Sequence, residues 1–182
     1  MVLELETGGS PARQLHLVMR AYDEGVAFCY VLPAQEHLSA FTISDEASHF
    51  HFTEDHTAWI TDYAQGEYDR ETISTMGQNV ERPLTLEMVD GGPAVALLEA
   101  RMVDYSRTLF GHAGGTRIVT DMDGEVAAQT PYRTPWRVIL LGDSPSDLMN
   151  RQYLVLNLND PTALEDTSWI RPGKAIRIMD RS

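Results

Sequence analysis

Short apolar-rich runs in this chain alternate with turn signals, and at four to eight residues they are too short for helices of ordinary length. That punctuation predicts an all-β fold, an antiparallel sandwich with at most one or two short helices. The runs that qualify as strands are Val2–Glu6, Gln14–Arg20, Gly25–Leu32, Ser48–Phe52, Thr57–Thr61, Pro83–Met88, Ala94–Leu98, Thr116–Thr120, Trp136–Leu141, Tyr153–Leu156 and Ala175–Met179. Tight reversals at Thr7–Pro11, Tyr22–Gly25 and Asp90–Pro93 predict three hairpins, because these segments carry the residues that turn a chain at little steric cost. Ser144 caps and Pro145 opens one short helix, with Asp147 in its first turn. The polar stretch from Ala64 to Glu81 has no clear period and reads as a surface excursion.

Composition narrows the function classes. With 182 residues the chain fits one domain with a real core, but not an additional (β/α)₈ barrel, which needs about 250 residues. A formal net charge of −13 repels phosphate backbones and anionic lipid, so neither nucleic acid nor membrane is an expected partner. No stretch approaches the roughly 20 apolar residues of a membrane span. Cys29 is the only cysteine, which excludes an internal disulfide; within Val26–Val31 it reads as a small buried thiol rather than a nucleophile.

Four clusters invite chemistry. On a strand, His49 and His51 project from one face, as a metal pair requires, and a metal-dependent enzyme could be built on them; a solvent-facing polar row alternating with inward Phe50 and Phe52 is the preferred reading. Asp121–Glu125 loosely resembles a calcium loop, although a hairpin turn at Asp123–Gly124 explains it better. Gly111–Gly115 lacks the Lys-Ser/Thr of a phosphate loop and reads as a flexible turn. Glu99 ends the run Val95–Leu98 and, on residue pattern alone, is a solvated strand end.

Several segments, in order, resemble one family. Leu17–Tyr30 is similar to a hairpin of glycoside hydrolase family 97, with Cys29 standing where that family usually has arginine. Phe41–Glu46, Pro83–Glu87, Leu98–Ala100 with Asp104–Tyr105, Thr134–Arg137 with Gly142–Asp143, Asn157–Pro161 and Asp166–Lys174 resemble the same domain.

The resemblance implies bacterial enzymes hydrolysing α-glucosidic or α-galactosidic bonds, with an N-terminal galactose-mutarotase-like super-sandwich ahead of a catalytic (β/α)₈ barrel. By it, residues 1–172 are part of the sandwich and residues 173–182 lead into a barrel that the chain lacks. The chain is then an accessory domain, not catalytic alone, whose partners are that barrel and its oligosaccharide substrate. The resemblance also implies that Glu99 is the glutamate this domain lends to the barrel's calcium site. One carboxylate cannot supply the six to eight oxygens that Ca²⁺ takes, so the isolated chain should bind calcium weakly or not at all. Sheet edges left open by the family's missing first strands offer routes to self-association. Family members are usually exported, which implies a periplasmic or secreted location, although no residues here form a signal peptide. A second expectation is a free-standing carbohydrate-binding module using Trp59, Tyr63 and Tyr68, with core duty preferred for Trp59.

Overall fold

The structure, a computed structural model, describes residues 1–89 and 91–174. Its main layer is a nine-stranded sheet. The strands along it are β1 (Val2–Glu6), β2 (Gln14–Tyr22), β3 (Gly25–Leu32), β14 (Trp136–Gly142), β9 (Ala94–Ala100), β8 (Leu84–Glu87), β6 (Thr57–Ile60) and β7 (Asp69–Thr72), with β13 (Tyr132–Arg133) also on β3. Every pairing is antiparallel. Smaller sheets join β10 (Thr108–His112), β11 (Arg117–Met122) and β5 (His49–His51), and β12 (Val126–Gln129) with β4 (Ala40–Ile43).

The expected hairpins β1–β2, β2–β3 and β8–β9 all form. In the second, Gly25 has φ +147°, and a Cβ there would lie 2.1 Å from the Ile139 carbonyl oxygen, so the tight turn and the close approach of β14 both require glycine. The interior strand β14 reads as a nearly continuous apolar run because both of its faces are covered. On one face Trp136, Val138 and Leu140 pack with Ala27, Cys29, Ala94 and Ala96. On the other, Val95 and Leu97 pack with Phe50, Phe110 and Ile118 from the three-stranded sheet, which makes the second layer of a sandwich.

Four expectations change. Tyr153–Leu156 is not a strand but lies in helix α2 (Tyr153–Asn157), which follows α1 (Pro145–Leu148) and a 3₁₀ turn at Met149–Arg151. Burial falls on Leu154 and Leu158, four apart, and seats the helix on the Trp136 face of the sheet, a spacing that a strand cannot use. Ala64–Glu81 is not merely a surface excursion: it contains β7, and Ile73, Met76 and Val80 are core residues, Val80 exchanging backbone hydrogen bonds with Phe110 at 2.9 Å. Asp123–Gly124 is not a hairpin turn, since β11 and β12 belong to different sheets. Gly111 lies inside β10, and the β10–β11 turn uses Gly114 and Gly115 at φ +89° and +60°. The strands β4, β7, β10, β12 and β13 are additional to those expected; β7 and β13 carry no apolar pattern, and the others are only four or five residues long. The expected helix forms as read, Ser144 capping the Asp147 N–H. The expected strand Ala175–Met179, and most of residues 173–182, lie outside the described residues.

Candidate functional site

An arginine in the middle of an apolar strand must find an anion, because a buried guanidinium cannot shed its charge. Arg137 sits between Trp136 and Val138 on β14, with 1% of its side chain exposed. Glu99 lies directly opposite on β9, and Glu46 enters from the segment between β4 and β5. Arg137 Nε and Nη2 donate to the two oxygens of Glu46 at 2.6 and 2.7 Å, a bidentate fork, while Nη1 donates to Glu99 Oε2 at 2.7 Å. Burial alone would lower the Arg137 pKa; the hydrogen bonds and charge of Glu46, with Glu99, hold it above its ordinary value.

The pairing continues outward. Glu99 Oε1 meets Arg82 Nε at 2.5 Å, Arg82 Nη1 meets Glu81 at 2.6 Å, Glu81 meets Arg107 at 2.7 Å, and Arg107 meets Asp123 at 2.7 Å. Arg137, Glu99 and Glu81 are 1, 4 and 5% exposed, Arg82 is 25% exposed, and the outer pair Arg107 and Asp123 reaches 43 and 50%. The Tyr105 hydroxyl donates to Glu46 Oε2 at 2.6 Å beneath the Arg137 guanidinium, which lies 5.6 Å from the tyrosine ring centroid. Burial, and then this bond to a carboxylate, push the Tyr105 pKa well above its ordinary value.

The ladder fixes a loop. Between β9 and β10, Arg101 and Asp104 adopt φ +58° and +49°, a conformation that non-glycine residues hold only when their surroundings impose it. Those surroundings are Tyr105 on Glu46, Arg107 on Glu81 and Asp123, Arg101 on Asp160 at 2.6 Å, and the Tyr132 hydroxyl donating to the Asp104 carbonyl at 2.6 Å. Arg133 completes the clamp on Asp160 at 2.8 Å. Met102 and Val103 are displayed at the tip, 39% and 49% exposed. The arrangement consists of carboxylates paired with arginines, and these pairs position the backbone of the loop.

Glu99 is therefore not a solvated strand end: its side chain is 4% exposed and both oxygens face arginines. That arrangement does not fit a calcium ligand, since two guanidinium groups occupy the oxygens and would repel the cation. Among the described residues no group of three or more His, Cys, Asp and Glu side chains could hold a metal ion. His49 and His51 are exposed neighbours with rings 6.2 Å apart, and Phe50 between them points into the core. Asp123 serves Arg107, and Asp121 accepts from the Met122 N–H. Cys29 is fully buried, and desolvation pushes its thiol up to about 11. Trp59 is half-buried on β6, while Tyr63 and Tyr68 stand exposed between β6 and β7. Sequence reasoning missed Glu46, Arg82, Glu81 and Arg107. The signal available for the group was Arg137 itself, a charge inside an apolar run.

Comparison with known proteins gives this framework its relatives. A "Probable retaining alpha-galactosidase" of Streptomyces bingchenggensis is 28% identical over 181 residues, covering 92% of this chain and 26% of the relative. A "Retaining alpha-galactosidase" of Bacteroides thetaiotaomicron is 22% identical over 197 residues, covering 85% and 29%. The solved glycoside hydrolase family 97 enzyme of Pseudoalteromonas sp. strain K8, in complex with acarbose, superposes with a TM-score of 0.86 at 27% identity, covering 94% of this chain and 27% of that one. The chain thus spans about a quarter of the length of these proteins. Its residues 1–161 match the family described as "Glycosyl-hydrolase 97 N-terminal", and to that family the chain belongs.

Proposed function

We propose that this chain is the accessory domain of a glycoside hydrolase acting on α-galactosidic or α-glucosidic bonds, supporting the sugar site of a catalytic barrel and cleaving nothing by itself. One observation carries the reading. Met149, Tyr153 and Leu156, spaced four and three apart, form an outward apolar stripe with exposures of 76, 65 and 61%, while Leu148, Leu154 and Leu158 face the core. Trp169 and Ile170 follow, also exposed. An apolar surface at the C-terminal end of a sandwich suits packing against a further domain. The clamped loop that displays Met102 and Val103 adds a second rigid contact, and the names of the two curated relatives favour the galactoside.

The purified chain, assayed on aryl α-galactoside and aryl α-glucoside with calcium present, should give no turnover. The polypeptide expressed with its downstream reading frame should hydrolyse one of them. Robust turnover by the 182-residue chain, or a downstream frame without a barrel, overturns the proposal.

A second reading, a carbohydrate-binding module, is favoured by a different feature. A groove of about 820 Å³ runs beside the β4–β12 ribbon, lined by Phe41, Tyr132, Thr42, Asp104 and Gln129, with Phe41 edge-on to Tyr132 at 6.0 Å. Aromatic faces beside hydrogen-bonding groups suit a sugar ring. Calorimetry with melibiose, maltose and starch oligomers tests it, and silence across all three removes it.

A further inference from the structure

The main sheet ends at β7 on one side and β1 on the other, and the two edges differ. β7 is four residues long and three of them, Asp69, Arg70 and Glu71, are charged; a short charged edge resists pairing. β1 reads Val-Leu-Glu-Leu-Glu and is exposed throughout.

Its backbone polarity can be followed residue by residue. The Met1 amine donates to the Met19 carbonyl at 2.8 Å and the Met19 N–H returns to the Met1 carbonyl at 2.9 Å, while the Thr7 N–H reaches the Arg13 carbonyl at 3.0 Å. Hydrogen-bonded pairs alternate along an antiparallel ladder, so Leu3 and Leu5 turn their backbone groups toward β2. Val2, Glu4 and Glu6 turn theirs outward. The side chains of Leu3 and Leu5 share one face with their β2 partners Leu17 and Leu15, whereas Glu4 and Glu6 lie on the other.

We infer that β1 is a self-pairing edge, joining the same strand of a second copy antiparallel about a two-fold axis through Leu3. The outward groups must form the hydrogen-bonded pairs, which admits few symmetric registers. An axis at Glu4 sets two carboxylates face to face, and one at Leu5 sets Glu4 against Glu6, both unfavourable. An axis at Leu3 sets Val2 against Glu4 of the second copy, Leu3 against Leu3, and Met1 against Leu5. About four backbone hydrogen bonds form, the apolar side chains meet on one face, and no carboxylates oppose. Because the contact is isologous, it closes at two copies. Five residues bury less than a standard interface, so association is weak, and it strengthens with salt because each copy carries a net charge of −13.

Sedimentation velocity over roughly 10–500 μM protein tests this. The mass should rise reversibly from 20.4 kDa toward twice that value, and further at high salt. Glu4→Pro removes an N–H that points to solvent in the single chain, so it should leave the melting temperature unchanged and abolish the dimer. Leu3→Lys, which places two ammonium groups on the axis, should do the same and serves if the proline variant misfolds. A chain that stays monomeric throughout, a folded Glu4→Pro variant that dimerises like the wild type, or growth beyond the dimer each overturns the inference.

Discussion

Replacing Arg137 by methionine tests whether the buried ladder holds the domain together. Methionine fills much of the arginine stem but removes three charge-assisted hydrogen bonds, two to Glu46 and one to Glu99. Glu46, 9% exposed, keeps only neutral donors, the Tyr105 hydroxyl at 2.6 Å and the Ser48 hydroxyl at 3.2 Å, while Glu99 keeps Arg82. Removing one partner of a buried ion pair costs about 3–5 kcal/mol, because the other charge stays desolvated. The double partnership and 1% exposure of Arg137 place this site inside that range, at about 4 kcal/mol. Single domains hold only about 5–15 kcal/mol in total. With a urea slope of about 2 kcal/mol/M, the unfolding midpoint followed by tryptophan fluorescence should fall by about 2 M. The Glu46→Gln variant alone should also destabilise, and the double variant should cost less than the sum by about 1–3 kcal/mol. A loss below about 1 kcal/mol, or strict additivity of the two variants, would refute the ladder as a buried structural element.

Three further outcomes follow from the same structure. Cys29, fully buried with its thiol at about 11, should not react with a disulfide reagent at pH 8 until the chain unfolds; fast labelling of native protein would contradict its burial. Asp160, held below its ordinary 3.8 by hydrogen bonds from Arg101 and then Arg133, has a folded pKa lower than its unfolded one. The stability it contributes is thus present above 3.8 and disappears as pH falls through the folded value, and a carboxyl ¹³C titration placing Asp160 at or above 3.8 would refute the clamp. Gly25→Ala should cost more than about 1 kcal/mol, since its Cβ would meet the Ile139 carbonyl oxygen at 2.1 Å; a melting temperature equal to wild type would show that this approach can relax.

The sequence by itself determined the elements whose cause is local. Val2–Glu6 and Gly25–Leu32 have the bounds that their apolar runs and turn residues imply, and the Ser144-Pro145 start of α1 is where its capping chemistry puts it. The ordered family motifs carried the fold and the family in the same way, because they are written in neighbouring residues. Tertiary structure decided what depends on distant partners. Tyr153–Leu156 has strand-like composition but is helical, since Leu154 and Leu158 must both reach the Trp136 face. Val80 is core because it docks on Phe110, thirty residues on, and not because its polar surroundings announce it. Glu99 changed most. A carboxylate at a strand end reads as solvated, or by family likeness as a calcium ligand, until the sheet register brings Arg137, 38 residues away, directly across from it, and Glu46 reaches that arginine from 91 residues away. Charge pairing at such separations leaves no periodic trace in a chain, since a side chain's partner is set by the pairing of strands and not by its neighbours in sequence.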